Sequence, residues 1–422
     1  MNIERALVRY KNYGENISII ERDTKISSNH NFISAIVGPR RAGKTLFMIQ
    51  LMKELNIPES NKIFINGEDI DFEGISTSDL DKIEDMINKV YQVDSSNPIW
   101  LFIDEVQRFP SWSRWVRTLN DENLYHIVIS GSTSELSTEK LPTELRGRAL
   151  NTMILPFSFS EVLKANEIAF NKYPNSEKIG KIMEKFDEFL RYGGYPQVVL
   201  EKNAKLKTKI LEELLETVMQ RDIIERKHVK NVRLLKAFMS AAIGSACRPI
   251  SYISLSNWLT SNMLRVSKQT AINYISYAEE VFLFFQVFPF SDKPKMRNLN
   301  PKIYLSDSGL LGLISDDKAK QLENQVFIEL IRRGNKVSYY TDGKSEIDFV
   351  VSDNKKVNEL IQVSLSLKDP STYERETKSM IDAAKKLRCK NLIIITENEE
   401  RSIKVKGKTI KVVPAWKWML KI

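Results

Sequence analysis

Residues 38–45 read Gly38-Pro39-Arg40-Arg41-Ala42-Gly43-Lys44-Thr45, the pattern G-x-x-x-x-G-K-T. Before them stands the short apolar run Ile33-Ser34-Ala35-Ile36-Val37, which reads as a strand. After them comes Leu46-Phe47-Met48-Ile49-Gln50-Leu51-Met52, which reads as a helix. A strand, a glycine-containing loop and a helix N-terminus in that order form a cradle for phosphate, because backbone N–H groups converge where the helix dipole favours negative charge. Gly38 and Gly43 let the loop backbone approach the β-phosphate without a Cβ in the way. Lys44 is expected to reach the β- and γ-phosphates, and the Thr45 hydroxyl to ligate Mg²⁺. The whole loop, Gly38 to Leu46, is therefore expected to bind ATP or GTP.

A second apolar run, Pro98-Ile99-Trp100-Leu101-Phe102-Ile103, ends in Asp104-Glu105. Such a run suits a strand buried on both faces of a parallel sheet. At its tip Asp104 is expected to hold the Mg²⁺ and Glu105 to activate the attacking water. A third run, Tyr125-His126-Ile127-Val128-Ile129, leads into Ser130-Gly131-Ser132-Thr133-Ser134. A hydroxyl there can stand between Glu105 and the γ-phosphate; Ser132 is the first candidate and Thr133 the second. Downstream, Glu144-Leu145-Arg146-Gly147-Arg148 offers guanidiniums that could neutralise transition-state charge, with Arg148 ahead of Arg146 as the arginine finger.

At 422 residues the chain exceeds what one core supports, so two to four domains are expected. No stretch approaches the roughly 18 consecutive apolar residues of a membrane helix, and the N-terminal residues have no signal-peptide core. A cytoplasmic protein without membrane contact is expected. Two cysteines and three scattered histidines argue against a disulfide framework and a zinc site. The net charge of +9 is concentrated: Arg226 to Leu310 carries 12 Lys/Arg against 4 Asp/Glu, or +8. That is the footprint expected of a nucleic-acid-binding face.

Along the chain, residues 1–156 alternate strand and helix patterns, as a parallel α/β nucleotide domain does. Residues 157–228 turn helical around Gly193-Gly194-Tyr195-Pro196 and read as a helical lid. Residues 229–312 follow helix, helix, helix, then strand-turn-strand, the outline of a winged helix. Its third helix begins near Lys268, and its hairpin carries Lys293, Lys295 and Arg297; these four are the expected phosphate contacts on duplex or branched DNA. Residues 313–422 place Glu323, then Glu346 and Asp348, then Gln362-Val363-Ser364, in an order that resembles a restriction-endonuclease-like core. There an acid and an acid-x-Lys pair would hold Mg²⁺. Here Ser364 stands in the lysine position and Gln362 in the acid position, so this domain is expected to be inactive.

The whole chain resembles a family of archaeal and bacterial AAA-type P-loop ATPases with an uncharacterised C-terminal half. The matching segments run from GPRRAGKT and LFIDEVQRFPSW through ISGSTSEL, ELRGRAL, LPFSFSEVL and RYGGYPQVV to IYLSDSGLLGLI, EIDFVV, IQVSLSL and PAWKWML. The resemblance implies ATP rather than GTP, with Mg²⁺, and a nuclease-like terminal domain that is degenerate in many members. Analogy with related signalling ATPases adds Pro196 as a contact to adenine. Oligomerisation with copies of itself is compatible with all of this.

The expected function is an Mg²⁺-dependent ATPase whose cycle moves a DNA-binding C-terminal half. A slow signalling or initiator-like switch, a chaperone-like ATPase acting on protein, and an ATP-gated nuclease remain open at this stage.

Overall fold

In a computed structural model the protein is described over residues 2–26, 32–136, 142–171, 175–261, 266–291, 300–353 and 356–422. The chain divides into two compact units, Met1–Ile154 and Leu155–Ile422.

The first unit is built on five parallel strands, β1 (Ile33–Val37), β2 (Lys62–Asn66), β3 (Ile99–Asp104), β4 (Tyr125–Gly131) and β5 (Ala149–Met153), in the order β2-β3-β4-β1-β5. Every residue of β1 is buried, which is why its sequence is a continuous apolar run rather than an alternation. The helix after the P-loop, α2 (Lys44–Glu54), lays Phe47, Met48, Leu51 and Met52 onto Ile36, Phe64, Phe102 and Val128 of the sheet. An N-terminal helix, α1 (Ile3–Tyr10), is pinned by ion pairs from Arg5 to Asp71 and from Arg9 to Asp69 and Asp71.

This order has a functional consequence. Strand β4 lies between β1, which delivers the P-loop, and β3, which delivers Asp104. All three C-terminal ends therefore open on one edge, the usual ligand edge of a parallel α/β sheet.

The second unit begins with helices Phe159–Ala165, Ser176–Tyr192, Pro196–Leu200 and Ala204–Thr217. The first of these starts in a capping box, Ser158 to Glu161. Helices Val232–Gly244, Tyr252–Ser261 and Lys268–Glu280 follow, and Ser267 caps the last by accepting from Thr270 N at 3.0 Å. Strands β6 (Phe284–Val287) and β7 (Lys302–Leu305) then pair antiparallel. The rest forms a mixed six-stranded sheet of β8 (Val337–Thr341), β9 (Glu346–Asp353), β10 (Lys356–Val363), β11 (Leu392–Thr396), β12 (Arg401–Val405) and β13 (Lys408–Pro414), ordered β12-β13-β11-β10-β9-β8. Among the described residues no helix is long and apolar enough to cross a membrane.

The Gly193-Gly194-Tyr195-Pro196 turn is tied to a distant residue. Asp307, 1% exposed, accepts from Gly194 N at 2.7 Å and from Gly309 N at 2.8 Å. Gly193 has φ +75°, and a Cβ there would fall 1.6 Å from Asp307 Oδ1. Only glycine fits on both counts.

Candidate nucleotide site

The P-loop takes the conformation its glycines allow. Gly38 has φ +149° and Gly43 φ +98°, and a Cβ on Gly38 would lie 2.1 Å from the Ile154 carbonyl oxygen. Lys44, 5% exposed, turns its Nζ back onto the carbonyls of Gly38 and Pro39, 3.1 Å from each. The ammonium thus lies over the concave face of the loop.

Across the sheet edge, Thr45 Oγ1 donates to Asp104 Oδ2 at 2.6 Å, and Ser130 Oγ donates to Asp104 Oδ1. Burial pushes the Asp104 carboxyl above the usual carboxylate range, with the Glu105 charge adding to it; the hydrogen bonds from Ser130 and Thr45 and the charge of Lys44 oppose the rise. Glu105 follows in a left-handed conformation, φ +49°, which turns its side chain out of the strand register. Its Oε2 accepts from Ser132 Oγ at 3.2 Å and from Gln107 Nε2 at 2.5 Å.

The donor set fits a Mg²⁺-bound triphosphate. Thr45 and Asp104 are hard oxygen donors already in contact, and Lys44 supplies the cation. Of the two sensor candidates, Ser132 reaches Glu105, whereas Thr133 Oγ1 is buried and finds no hydrogen-bond partner among the described residues.

Arg148 is not beside the P-loop of its own chain. Strands β1 and β5 run parallel with Ile33 opposite Ala149, so Arg148 lies at the start of the pair and Gly38 follows its end. Six residues at about 3.3 Å each separate the two edges by roughly 20 Å along the strands. Its Nε sits 3.5 Å from Asp121 instead. Within one chain this register keeps Arg148 at the opposite end of the sheet from the P-loop.

Two further contacts had no motif to announce them. Ser130 bridges the acidic pair, accepting from Glu105 N at 3.2 Å while donating to Asp104. Arg22, 7% exposed, donates to the P-loop carbonyl of Ala42 at 2.9 Å, and Gln50 of α2 accepts from Arg22 N at 2.8 Å. The segment ahead of β1 thereby braces the loop from behind.

In the second unit Pro196 takes the first position of its short helix, where its fixed φ suits and its missing N–H is not needed. Lys268 opens the Lys268–Glu280 helix and is exposed. Lys293, Lys295 and Arg297 lie outside the described residues. The acids of the terminal sheet converge, but on an ammonium: Lys302 Nζ, 1% exposed, is 3.0 Å from Asp348, 2.8 Å from Glu346 and 3.4 Å from Glu323. Burial works against its charge, yet Asp348, Glu323 and Glu346 outweigh it and hold Lys302 well above the usual lysine range. Gln362 Oε1 accepts from Asp348 N at 3.2 Å, and Ser364 Oγ donates to the Ser366 carbonyl at 3.1 Å.

Residues 30–163 match an AAA domain family, and residues 183–321 match a domain of unknown function, DUF8612. The chain is 34% identical over 415 residues to the uncharacterised protein MJ1544 of Methanocaldococcus jannaschii, covering 95% of this chain and 91% of that one. It is 29% identical over 432 residues to an uncharacterised protein of Haemophilus influenzae, covering 99% and 100%. Among solved structures it is similar to the Walker-type ATPase PABY2304 of Pyrococcus abyssi, at 12% identity and a TM-score of 0.46 over 68% of this chain and 92% of that one. The chain belongs to the same family as MJ1544, and its P-loop unit is an AAA-type ATPase domain.

Proposed function

We propose that the protein hydrolyses ATP with Mg²⁺ and uses the cycle to change the state of a DNA-binding second unit. The observation that carries the hydrolytic part is the carboxylate of Glu105, fixed at one oxygen by Ser132 next to the Thr45–Asp104 contact. Lys44 leaves the Gly38 and Pro39 carbonyls to meet the β- and γ-phosphates. Thr45 and Asp104 hold the metal, which when bound neutralises charge on the phosphates. Glu105 takes the proton of the attacking water, and Ser132 keeps its carboxylate in line. Arg148 acts on the site of a second copy, which makes a homo-oligomer the active form. Pro196 is the proposed contact to adenine.

The DNA-binding part rests on charge and element order. Three helices followed by the β6–β7 ribbon are the parts of a winged helix, and the +8 excess of residues 226–310 falls on that segment. Lys268, Lys293, Lys295 and Arg297 are its proposed phosphate contacts.

The test is phosphate release by the full chain, titrated with duplex, forked and single-stranded DNA, beside Lys44→Ala and Glu105→Gln. Activity lost in both variants supports ATP hydrolysis at this site; unchanged turnover in Glu105→Gln refutes it. Duplex binding that weakens steeply with salt, with a log–log slope reduced by about one unit per removed cation, supports the DNA reading. No change in slope for the quadruple Ala variant refutes it and favours a protein client.

A further inference from the structure

We propose that Gln107 is a positioning residue for Glu105: its amide locks the carboxylate so that one defined oxygen faces the attacking water. This rests on the hydrolytic reading above. Gln107 belongs to the short turn Val106–Arg108, directly after the left-handed Glu105. That turn folds the amide back over the carboxylate, and Nε2 donates to Glu105 Oε2 at 2.5 Å. Ser132 Oγ donates to the same oxygen at 3.2 Å from the neighbouring strand end. Two donors from different elements therefore meet on Oε2, and neither is on Oε1.

A glutamate held at one point can rotate about its last bond and exchange its two oxygens. Held by two donors from two directions, it keeps one plane and presents Oε1. An amide suits this task because it donates without surrendering its proton, so it orients the base without protonating it. A lysine or histidine in the same position would bring a transferable proton.

The other end of the amide supports the assignment. Gln107 Oε1 is buried and finds no hydrogen-bond donor among the described residues. Buried carbonyl oxygens are rarely left unpaired, so this one calls for an explanation. Turning the amide over would not relieve it, because its oxygen would then oppose the carboxylate. Room for it comes from Gly131 at the end of β4: a Cβ there would lie 2.6 Å from Gln107 Oε1 and 2.4 Å from Leu136 Cδ1. The side chain is thus kept in a place where one end is unsatisfied and the other grips Glu105.

The test is a double-mutant cycle on the full chain with Gln107→Met, which keeps the length and loses the donor, alone and with Glu105→Gln. ATP affinity is read with a fluorescent ATP analogue, which also reports an intact site. Gln107→Met should lower kcat on the order of tenfold to a hundredfold, the loss expected for a misplaced reacting group, with affinity unchanged within about twofold. In the Glu105→Gln background the same change should cost nothing further, because Gln107 acts only through that carboxylate. Gln107→Glu should be at least as slow as Gln107→Met, since two carboxylates then face each other. Full-rate Gln107→Met in a protein whose Glu105→Gln variant is stalled overturns the proposal and leaves hydrolysis standing. A Gln107→Met defect that falls on affinity, or repeats undiminished beside Glu105→Gln, reduces the residue to a structural role and also overturns it. Normal turnover in Glu105→Gln would instead remove the hydrolytic reading itself.

Discussion

Thr45 and Asp104 touch across the sheet edge, hydroxyl to carboxylate at 2.6 Å, although 59 residues separate them in the chain. The contact links the first turn of the P-loop helix to the tip of β3, and it brings together the two oxygens proposed above to hold Mg²⁺. Removing either should act on metal dependence before it acts on nucleotide binding. Thr45→Val and Asp104→Asn should each lower kcat by about a hundredfold or more, the scale of a lost charge-stabilising group, and require more Mg²⁺ for half activity. A Mg²⁺ titration of phosphate release measures this, and an unchanged midpoint in both variants would separate the pair from the metal.

Because Arg148 stands at the far edge of the β1–β5 pair, its contribution should come from another copy. Arg148→Ala alone and Lys44→Ala alone should both be slow. Mixed in equal amounts, the intact P-loop of the first can receive the intact arginine of the second, so activity should recover in part. Turnover that stays at the sum of the two separate variants, at concentrations where the protein self-associates, would leave Arg148 as the surface partner of Asp121.

Among the described residues Lys302 is the one ammonium shared by Glu323, Glu346 and Asp348. Lys302→Met should leave buried Asp348 and partly buried Glu323 facing exposed Glu346 and destabilise the protein by about 3–5 kcal/mol near neutral pH, the cost of breaking a buried ion pair from one side. The deficit should shrink on acidification, as the acids take up protons. Urea unfolding at two pH values reads both effects, and a variant as stable as the parent at pH 8 would contradict the assignment of Lys302 as their counter-charge.

Asp307 gives a pH dependence of definite sign. Burial pushes its carboxyl up to about 7, against the N–H groups of Gly194 and Gly309 and the charge of Arg332, which pull it down. The folded protein therefore holds this proton more tightly than the unfolded chain, whose aspartates titrate near pH 4. Its contribution to stability is greatest below that value, declines as pH rises toward 7, and is flat above. The difference in Tm between parent and Asp307→Asn should accordingly change between pH 4 and 7 and then level off. A difference constant across that window would mean that Asp307 does not titrate there.

The nucleotide site is legible in the sequence because its chemistry is written in short covalent spacings. GPRRAGKT after an apolar strand and Asp104-Glu105 after another require only that each strand end where its run ends, and β1 and β3 do so. Ser132 could be chosen from the tip of the intervening strand for the same reason. Arg148 shows where such reading stops: closeness to a strand in sequence says nothing about which end of the sheet it occupies, and register decides that. Gln107, Ser130 and Arg22 were hidden because their roles depend on where a side chain folds back, and a left-handed Glu105 is invisible in one-dimensional periodicity. Lys302 was missed for another reason. The order of the acids suggests a metal site, whereas the cation that meets them comes from β7, outside the segment that carries them.

The bond from Gly194 to Asp307 closes a loop of 113 residues, and this bears on how the protein can be cut. A fragment ending between residues 217 and 306 would contain the whole helical region around the Gly-Gly-Tyr-Pro turn, yet leave the Gly194 N–H without its acceptor and the Tyr195 hydroxyl without Ser306. Proteolysis or gene truncation between these points should yield two sticky halves rather than two tidy modules. For the same reason, insertions in this stretch are tolerable only where they leave the two ends free to meet.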